Sequence, residues 1–165
     1  MAQNRTKSDL LLRLLDQAYD HRSWHGPNLR GSLRGITARQ AIWQPGRGRH
    51  SIWELALHAA YWKYTVVRRL LKQKRGSFPM RGSNWFGRRA MPDEKAWRAD
   101  LRLLEETHRS LRKAVAALDD RALNRRGSGR SVTDLDLLIG IAAHDLYHAG
   151  QIQLVKRLHQ RRSRR

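Results

Sequence analysis

Cysteine is absent from this chain of 165 residues. Its absence excludes disulfide bonds, thiolate metal ligands and a cysteine nucleophile, and it leaves the redox state of the compartment open. Long apolar runs are also absent, since the stretch from Leu137 to Ala143 is far shorter than the roughly 20 residues that span a bilayer. The apolar run near the N-terminus is interrupted by Asp9, Arg13 and Asp16, unlike a secretory signal. We therefore expect a cytoplasmic protein with no membrane partner.

Acidic residues are few, because 14 Asp+Glu face 34 Lys+Arg and leave a formal charge of +20. A hydrophobic content of 40% with 6 Trp is too high for a disordered basic tail, so we expect a folded protein with a basic exterior. We predict a single domain over residues 1–160, followed by a basic tail at 161–165. Between Asp20 and Asp93 the one acid is Glu54, so the positive charges are clustered.

This clustered charge has three interpretations. It could bind nucleic acid non-specifically at low salt, because Lys and Arg neutralise phosphates. It could attract a small anionic substrate towards a site. It could also be a solvated surface without a function of its own.

Four segments have helical spacing, and glycine, proline and basic residues separate them. The first helix should follow an N-cap at Ser8 and stop before Gly26-Pro27. The second should begin with a capping box formed by Ser51 and Glu54, in which each side chain satisfies a backbone N–H of the other, and run to about Lys74.

The third helix should begin at Pro92-Asp93-Glu94 and extend to Leu118. Ser131 and Asp134 predict a capping box at the start of the fourth. The long connector between the first two helices could contain a short helical turn at Thr37 to Ile42. Because no segment alternates as a strand does, these helices predict an all-α fold, a four-helix bundle with long connectors.

Two histidines in the last helix are candidate metal ligands. His144 and His148 are four residues apart, so on a helix their Cβ atoms lie roughly 5–6 Å apart on one face, close enough to share an ion. The same face carries Leu137, Ile141 and Val155, so the pair should point into the bundle. Ordinary buried or surface histidines are the alternative interpretation.

His58 is a third candidate ligand, in the second helix. It shares its direction with Leu55 and Trp62, so it should also face the interior. Three neutral histidines with an open fourth position are typical of a catalytic rather than a structural metal site. Spacing does not establish that His58 reaches the other two, and a hydrogen-bonded core histidine is the alternative.

Asp145 completes a His-Asp-x-x-His string that superficially resembles a metalloprotease motif. The Asp side chain is shorter than Glu and lies about 100° away from the His144 direction. We therefore expect Asp145 to support a ligand or to carry a surface charge rather than to act as a general base. Further residues that could border a site, with packing or loop capping as the alternative, are Gln151, Trp62, Tyr147, His25 and His50.

The segment HSIWELALHAAYW (His50 to Trp62), followed later by AAHDLYHAGQIQLVKRL (Ala142 to Leu158), resembles the DinB/YfiT-like superfamily. That superfamily includes bacillithiol transferases and relatives of mycothiol-dependent enzymes. The resemblance implies an up-down-down-up four-helix bundle, usually a homodimer, with a three-histidine metal site. Carried over position by position, the ligands are His58, His144 and His148, and the ion is a divalent metal such as Zn²⁺ or Ni²⁺.

The resemblance also implies a metal-dependent enzyme, a thiol-dependent S-transferase or a related hydrolase, acting on a small-molecule substrate. A coordinated thiol is deprotonated and becomes a nucleophile at neutral pH. Because the chain has no cysteine, a low-molecular-weight thiol would have to come from outside. The alternatives are a basic nucleic-acid-binding helical protein with structural or vestigial histidines, and a metal-stabilised bundle without catalysis.

Overall fold

The computed structural model describes residues 6–76, 78–87, 91–126 and 131–162. Within these ranges the regular structure is entirely helical, which confirms the predicted all-α class. The elements are α1 (Lys7–Tyr19), α2 (Leu29–Leu33), α3 (Ala38–Ile42), α4 (Ile52–Leu70), α5 (Glu94–Ala116), a short 3₁₀ helix (Asp120–Asn124) and α6 (Asp134–Arg162). The four long helices α1, α4, α5 and α6 pack as the bundle, and no helix of the described ranges is long and apolar enough to cross a membrane.

The start of α1 differs from the prediction. Thr6, not Ser8, is the N-cap: its side chain accepts a hydrogen bond from the backbone N–H of Asp9, and the Asp9 side chain accepts one from the backbone N–H of Thr6. Ser8 instead lies buried and donates to the carbonyl of Leu118 at 3.2 Å. The helix also ends earlier than predicted, at Tyr19. Thr and Ser are both good caps, and a reciprocal acidic residue three positions on decides in favour of Thr6.

The predicted capping box at the start of α6 is also wrong in its residues. Thr133 and Asp136 form it, since the Thr133 hydroxyl accepts from the Asp136 N–H at 3.1 Å and the Asp136 carboxylate accepts from the Thr133 N–H at 2.8 Å. The capping box of Ser51 and Glu54 at the start of α4 is confirmed. Helix α6 continues through Arg161 and Arg162, and residues 163–165 of the predicted tail lie outside the described ranges.

Side-chain contacts give the direction of each long helix. Trp53 near the start of α4 donates its Nε1–H to Asp100 near the start of α5 at 2.7 Å, so these two helices run parallel. The bond from Ser8 to Leu118 places the start of α1 at the end of α5, so α1 runs the opposite way. The early part of α6 packs in the same cluster as Val66 near the end of α4, so α6 is antiparallel to α4. The order is therefore up-down-down-up.

The core has two apolar clusters with polar side chains between them. One cluster surrounds Trp53 and Trp97, and the other surrounds Leu15 and Leu138. Along the long helices, buried polar side chains lie either between these clusters or, for His58, at the edge of the first one: His58, Lys63, His108, Asp145 and His148. Burying such groups is unfavourable unless they have hydrogen-bond or charged partners, so we expect a functional site at this level of the bundle.

Candidate metal centre

The antiparallel packing of α4 and α6 brings the three candidate histidines together. The Nε2 atom of His144 lies 3.0 Å from the Nε2 atom of His58 and 3.0 Å from that of His148. His58 and His148 are buried, and His144 is half-buried. In the described part of the chain, these three form the one group of potential ligands whose coordinating atoms all lie within 4.8 Å of one another.

The outer ring nitrogens of two histidines are held by hydrogen bonds. The backbone carbonyl of Asn84 accepts from Nδ1 of His58 at 2.9 Å, and Oε1 of Gln151 accepts from Nδ1 of His148 at 2.6 Å. An amide oxygen only accepts, so each Nδ1 carries the proton and each neutral ring has a lone pair on Nε2. Both lone pairs then point towards Nε2 of His144, which is how metal-binding histidines are commonly oriented.

This donor set fits a divalent ion. Two nitrogens that lie about 2.0–2.1 Å from one ion are separated by about 2.9–3.4 Å, depending on the coordination angle. The two observed Nε2 separations of 3.0 Å fall in that range. Imidazole nitrogen suits Zn²⁺, Ni²⁺ and similar metals, and a set of three leaves a coordination position open.

The electrostatic environment keeps the three rings neutral. Burial is the main cause in each case: it lowers the pKa of His58, that of His144 to about 3 and that of His148 to about 4. For His144 the neighbouring histidines contribute to this lowered pKa, since two positive rings at this distance would repel. The rings therefore carry free lone pairs at neutral pH, as metal ligands must.

Trp85 covers one side of the cluster and was not found from the sequence. Its ring stacks on His58 with centroids 3.9 Å apart, and His50 stacks on its other face at 3.5 Å. His50, predicted to border a site, thus reaches the cluster through Trp85. The segment that carries Trp85 has no helical spacing, so the sequence held no periodic signal for it.

Asn84 was also missed, and it joins two site residues. Besides the carbonyl bond to His58, its Oδ1 accepts from Nε1 of Trp62 at 2.9 Å. The Trp62 ring meets His144 edge-on with centroids 6.3 Å apart. Asn84 has a φ of 68°, in the left-handed region that Asn tolerates better than most residues. Trp62 therefore lies beside the cluster, and its role as a pocket residue stays a prediction.

The other residues predicted to border a site differ in whether they contact the three histidines. Tyr147 is exposed and meets His148 edge-on at 5.1 Å. His25 is exposed, and no hydrogen bond or ring contact within the described ranges joins it to the three histidines. Asp145 is completely buried and pairs with Lys63, so the surface alternative for Asp145 is wrong.

A family model described as the DinB superfamily matches residues 21–152. No curated protein and no solved structure matches the sequence significantly. The matched range includes all three histidines of the cluster and both residues that hold their outer nitrogens, and it covers well over half of the chain. The chain therefore belongs to the DinB superfamily.

Proposed function

We propose that the protein is a metal-dependent enzyme in which His58, His144 and His148 hold a divalent ion such as Zn²⁺ or Ni²⁺. The observation that carries this proposal is the convergence of three Nε2 atoms, with the rings of His58 and His148 each oriented by a hydrogen bond at Nδ1. Asn84 and Gln151 accept the outer protons, so the inner lone pairs are directed at a common point. Without an ion, the single N–H that a neutral His144 can place on Nε2 would have to serve the lone pairs of both His58 and His148, whereas an ion is bound by all three nitrogens.

Three protein ligands leave a coordination position open, where a bound thiol or water loses its proton near neutral pH. Because the chain has no cysteine, we propose a low-molecular-weight thiol as co-substrate. Its thiolate would attack a small electrophile, so that a C–S bond forms as the bond to the leaving group breaks, and the thiol proton passes to solvent. Hydrolysis, with water in place of the thiol, is the related reaction. The homodimer and the cytoplasmic location stay predictions.

The residues around the cluster favour this reaction class. Trp85 and Trp62 shield the cluster, which reduces the water around it and strengthens electrostatic interactions there. No carboxylate in the described ranges forms a hydrogen bond with the three histidines, and the nearest acid in sequence, Asp145, is paired with Lys63. The site therefore suits a nucleophile that needs no carboxylate as general base.

Metal content tests the first step. Untagged wild-type protein should carry about one divalent ion per chain by elemental analysis, and His148→Ala should lose it. His25→Ala is the matched control, because His25 is exposed and should retain the metal at the wild-type level. Circular dichroism confirms that each variant is folded. Wild-type protein without stoichiometric metal, or His148→Ala with unchanged metal, would overturn the proposal.

Catalysis is tested separately. The metal-loaded protein should accelerate transfer of a small thiol to a chromogenic aryl halide, and His148→Ala should abolish the acceleration. If a chromogenic ester is cleaved instead, with the same dependence on His148, the protein is the related hydrolase. Stoichiometric metal with neither activity, but with a large loss of stability on metal removal, would favour the metal-stabilised bundle without catalysis.

A further inference from the structure

A cavity of about 640 Å³ lies beside the histidine cluster, between the later part of α4 and the loop that follows it. Its volume is in the range of small-molecule pockets. Its walls carry four arginines: Arg68, Arg69, Arg75 and Arg81. Among the described residues that line it there is no acid, so the cavity has a strong excess of positive charge.

Aromatic side chains form another part of the cavity wall. Phe78 packs against Tyr61 and Tyr64, each with ring centroids 5.3 Å apart. The guanidinium of Arg69 lies 5.9 Å from the centre of the Trp62 ring, at cation–π distance. Rings and guanidinium groups together suit a ligand with charged groups and an apolar or planar part.

Two residues belong both to the wall of this cavity and to the surroundings of the histidine cluster. Trp62 and Asn84 line the cavity, and their side chains are hydrogen-bonded to each other at 2.9 Å. The backbone carbonyl of Asn84 also accepts from His58, and the Trp62 ring contacts His144. A molecule bound among the arginines would thus lie next to the residues that border the cluster.

We propose that this arginine-lined cavity binds a small organic anion with two or more charges, carried by carboxylate or phosphate groups, and that this anion is part of the co-substrate used at the metal centre. The second clause rests on the function proposed above. Guanidinium groups bind both kinds of anion through paired N–H donors. The field of the other basic residues would attract such a molecule from solution.

Anion binding is measured first on full-length protein freed of metal by a chelator, by titration calorimetry at constant ionic strength. Succinate and inorganic phosphate are the probes, at a pH above the second pKa of phosphate so that both are dianions, and acetate is the monovalent control. At least one dianion should bind saturably, and the stronger of the two identifies carboxylate or phosphate as the preferred group. Arg68→Gln/Arg81→Gln should weaken this binding about tenfold or more, since it removes two paired donors.

A matched variant and a conservative variant accompany this experiment. Arg109→Gln/Arg157→Gln removes the same charge from exposed positions outside the cavity, and its affinity should stay within about twofold of wild type, because exposed distant charges are screened. Arg68→Lys/Arg81→Lys should recover part of the affinity. Equal losses in both Gln variants, or no saturable binding of either dianion, would overturn the proposal. Binding of a single-stranded oligonucleotide but of neither dianion would also overturn it, in favour of a nucleic-acid surface.

The link to the metal centre is tested with mercaptosuccinate, which adds a thiol to succinate. Metal-loaded protein should bind it about tenfold or more tightly than succinate, since the thiol adds a ligand to the ion. His148→Ala should lose this gain but keep succinate binding, whereas Arg68→Gln/Arg81→Gln should keep its metal and lose succinate binding. If wild-type protein binds succinate but carries no metal, the proposed metal site is wrong and the anion-binding cavity stands. If wild-type protein carries metal but binds neither dianion, the proposed anion-binding cavity is wrong and the metal site stands.

Discussion

Lys63 of α4 and Asp145 of α6 form an ion pair in the interior of the bundle, and both side chains are completely buried. The Lys63 ammonium also lies 5.1 Å from the centre of the Tyr19 ring, so α1 contributes to the same contact. Asp145 follows His144 directly, and Lys63 is five residues beyond His58. The ion pair therefore joins the two helices that supply the histidine cluster.

Removing one member of this pair should be far more damaging than removing both. Lys63→Met leaves the Asp145 carboxylate buried without its partner, and we expect a loss of about 3–5 kcal/mol in the free energy of unfolding. Lys63→Met/Asp145→Leu replaces both charges with apolar groups and should lose much less. Urea unfolding at pH 7 measures both, and a double variant as unstable as the single one would contradict the expectation.

Gln151 should set the metal affinity through His148. Gln151→Ala removes the acceptor that holds the proton on Nδ1 of His148, and loss of such a partner lowers metal affinity by about 10–100-fold. Gln153→Ala is the matched control, a half-buried glutamine on the same helix that should leave the affinity unchanged. Competition with a chromophoric chelator gives both affinities. Equal affinities in the two variants would show that Gln151 has no such role.

The sequence predicted the parts of the site that depend on regular helices. The cap of Ser51 and Glu54 is a local signal that predicts where a helix begins. The spacing of His144 and His148 is also local, and the apolar residues at helical spacing around the pair predict that it points inward. His58 contacts this pair only because α4 and α6 pack in a particular alignment. The spacing of residues within one helix does not predict that alignment.

The missed residues lacked any local signal. Trp85 lies in a connector without periodicity, so only the folded chain shows that its ring is stacked between two histidines. Lys63 stands among apolar residues of α4, and its partner Asp145 is on another helix. Both cases are tertiary contacts between distant parts of the chain. The capping errors at Ser8 and Ser131 arose differently, because several good caps stood within one turn of each other.

The backbone of Asn84 offers a test of the loop that covers the cluster. Its left-handed φ of 68° is open to Gly but unfavourable for Ala by about 1 kcal/mol or more. Both Asn84→Gly and Asn84→Ala remove the hydrogen bond to Trp62, so the difference between them isolates the backbone. We expect Asn84→Ala to be less stable and to bind metal more weakly than Asn84→Gly. Equal stabilities in urea would show that this conformation is not required.

His108 is a buried histidine outside the metal cluster, and it should make stability depend on pH. Its ring stacks on Tyr19 with centroids 3.8 Å apart, and neither ring nitrogen has a hydrogen-bond partner in the described part of the chain. Burial, and after it the positive charges of Lys63 and Arg112, lower its pKa to about 2. The ring therefore stays neutral in the folded protein between pH 7 and pH 5.

In the unfolded chain this histidine titrates near pH 6.5, so below that pH the unfolded state binds a proton that the folded state does not. Stability must then fall as the pH falls from about 6.5 towards the folded pKa, by about 1.4 kcal/mol per pH unit for this group. His108→Phe keeps a ring against Tyr19 but does not titrate. Between pH 7 and pH 5, wild-type protein should lose about 2 kcal/mol more unfolding free energy than His108→Phe, both measured by urea unfolding with chelator present. Equal losses would mean that the His108 ring can take up a proton in the folded bundle, through an opening or a water that reaches it.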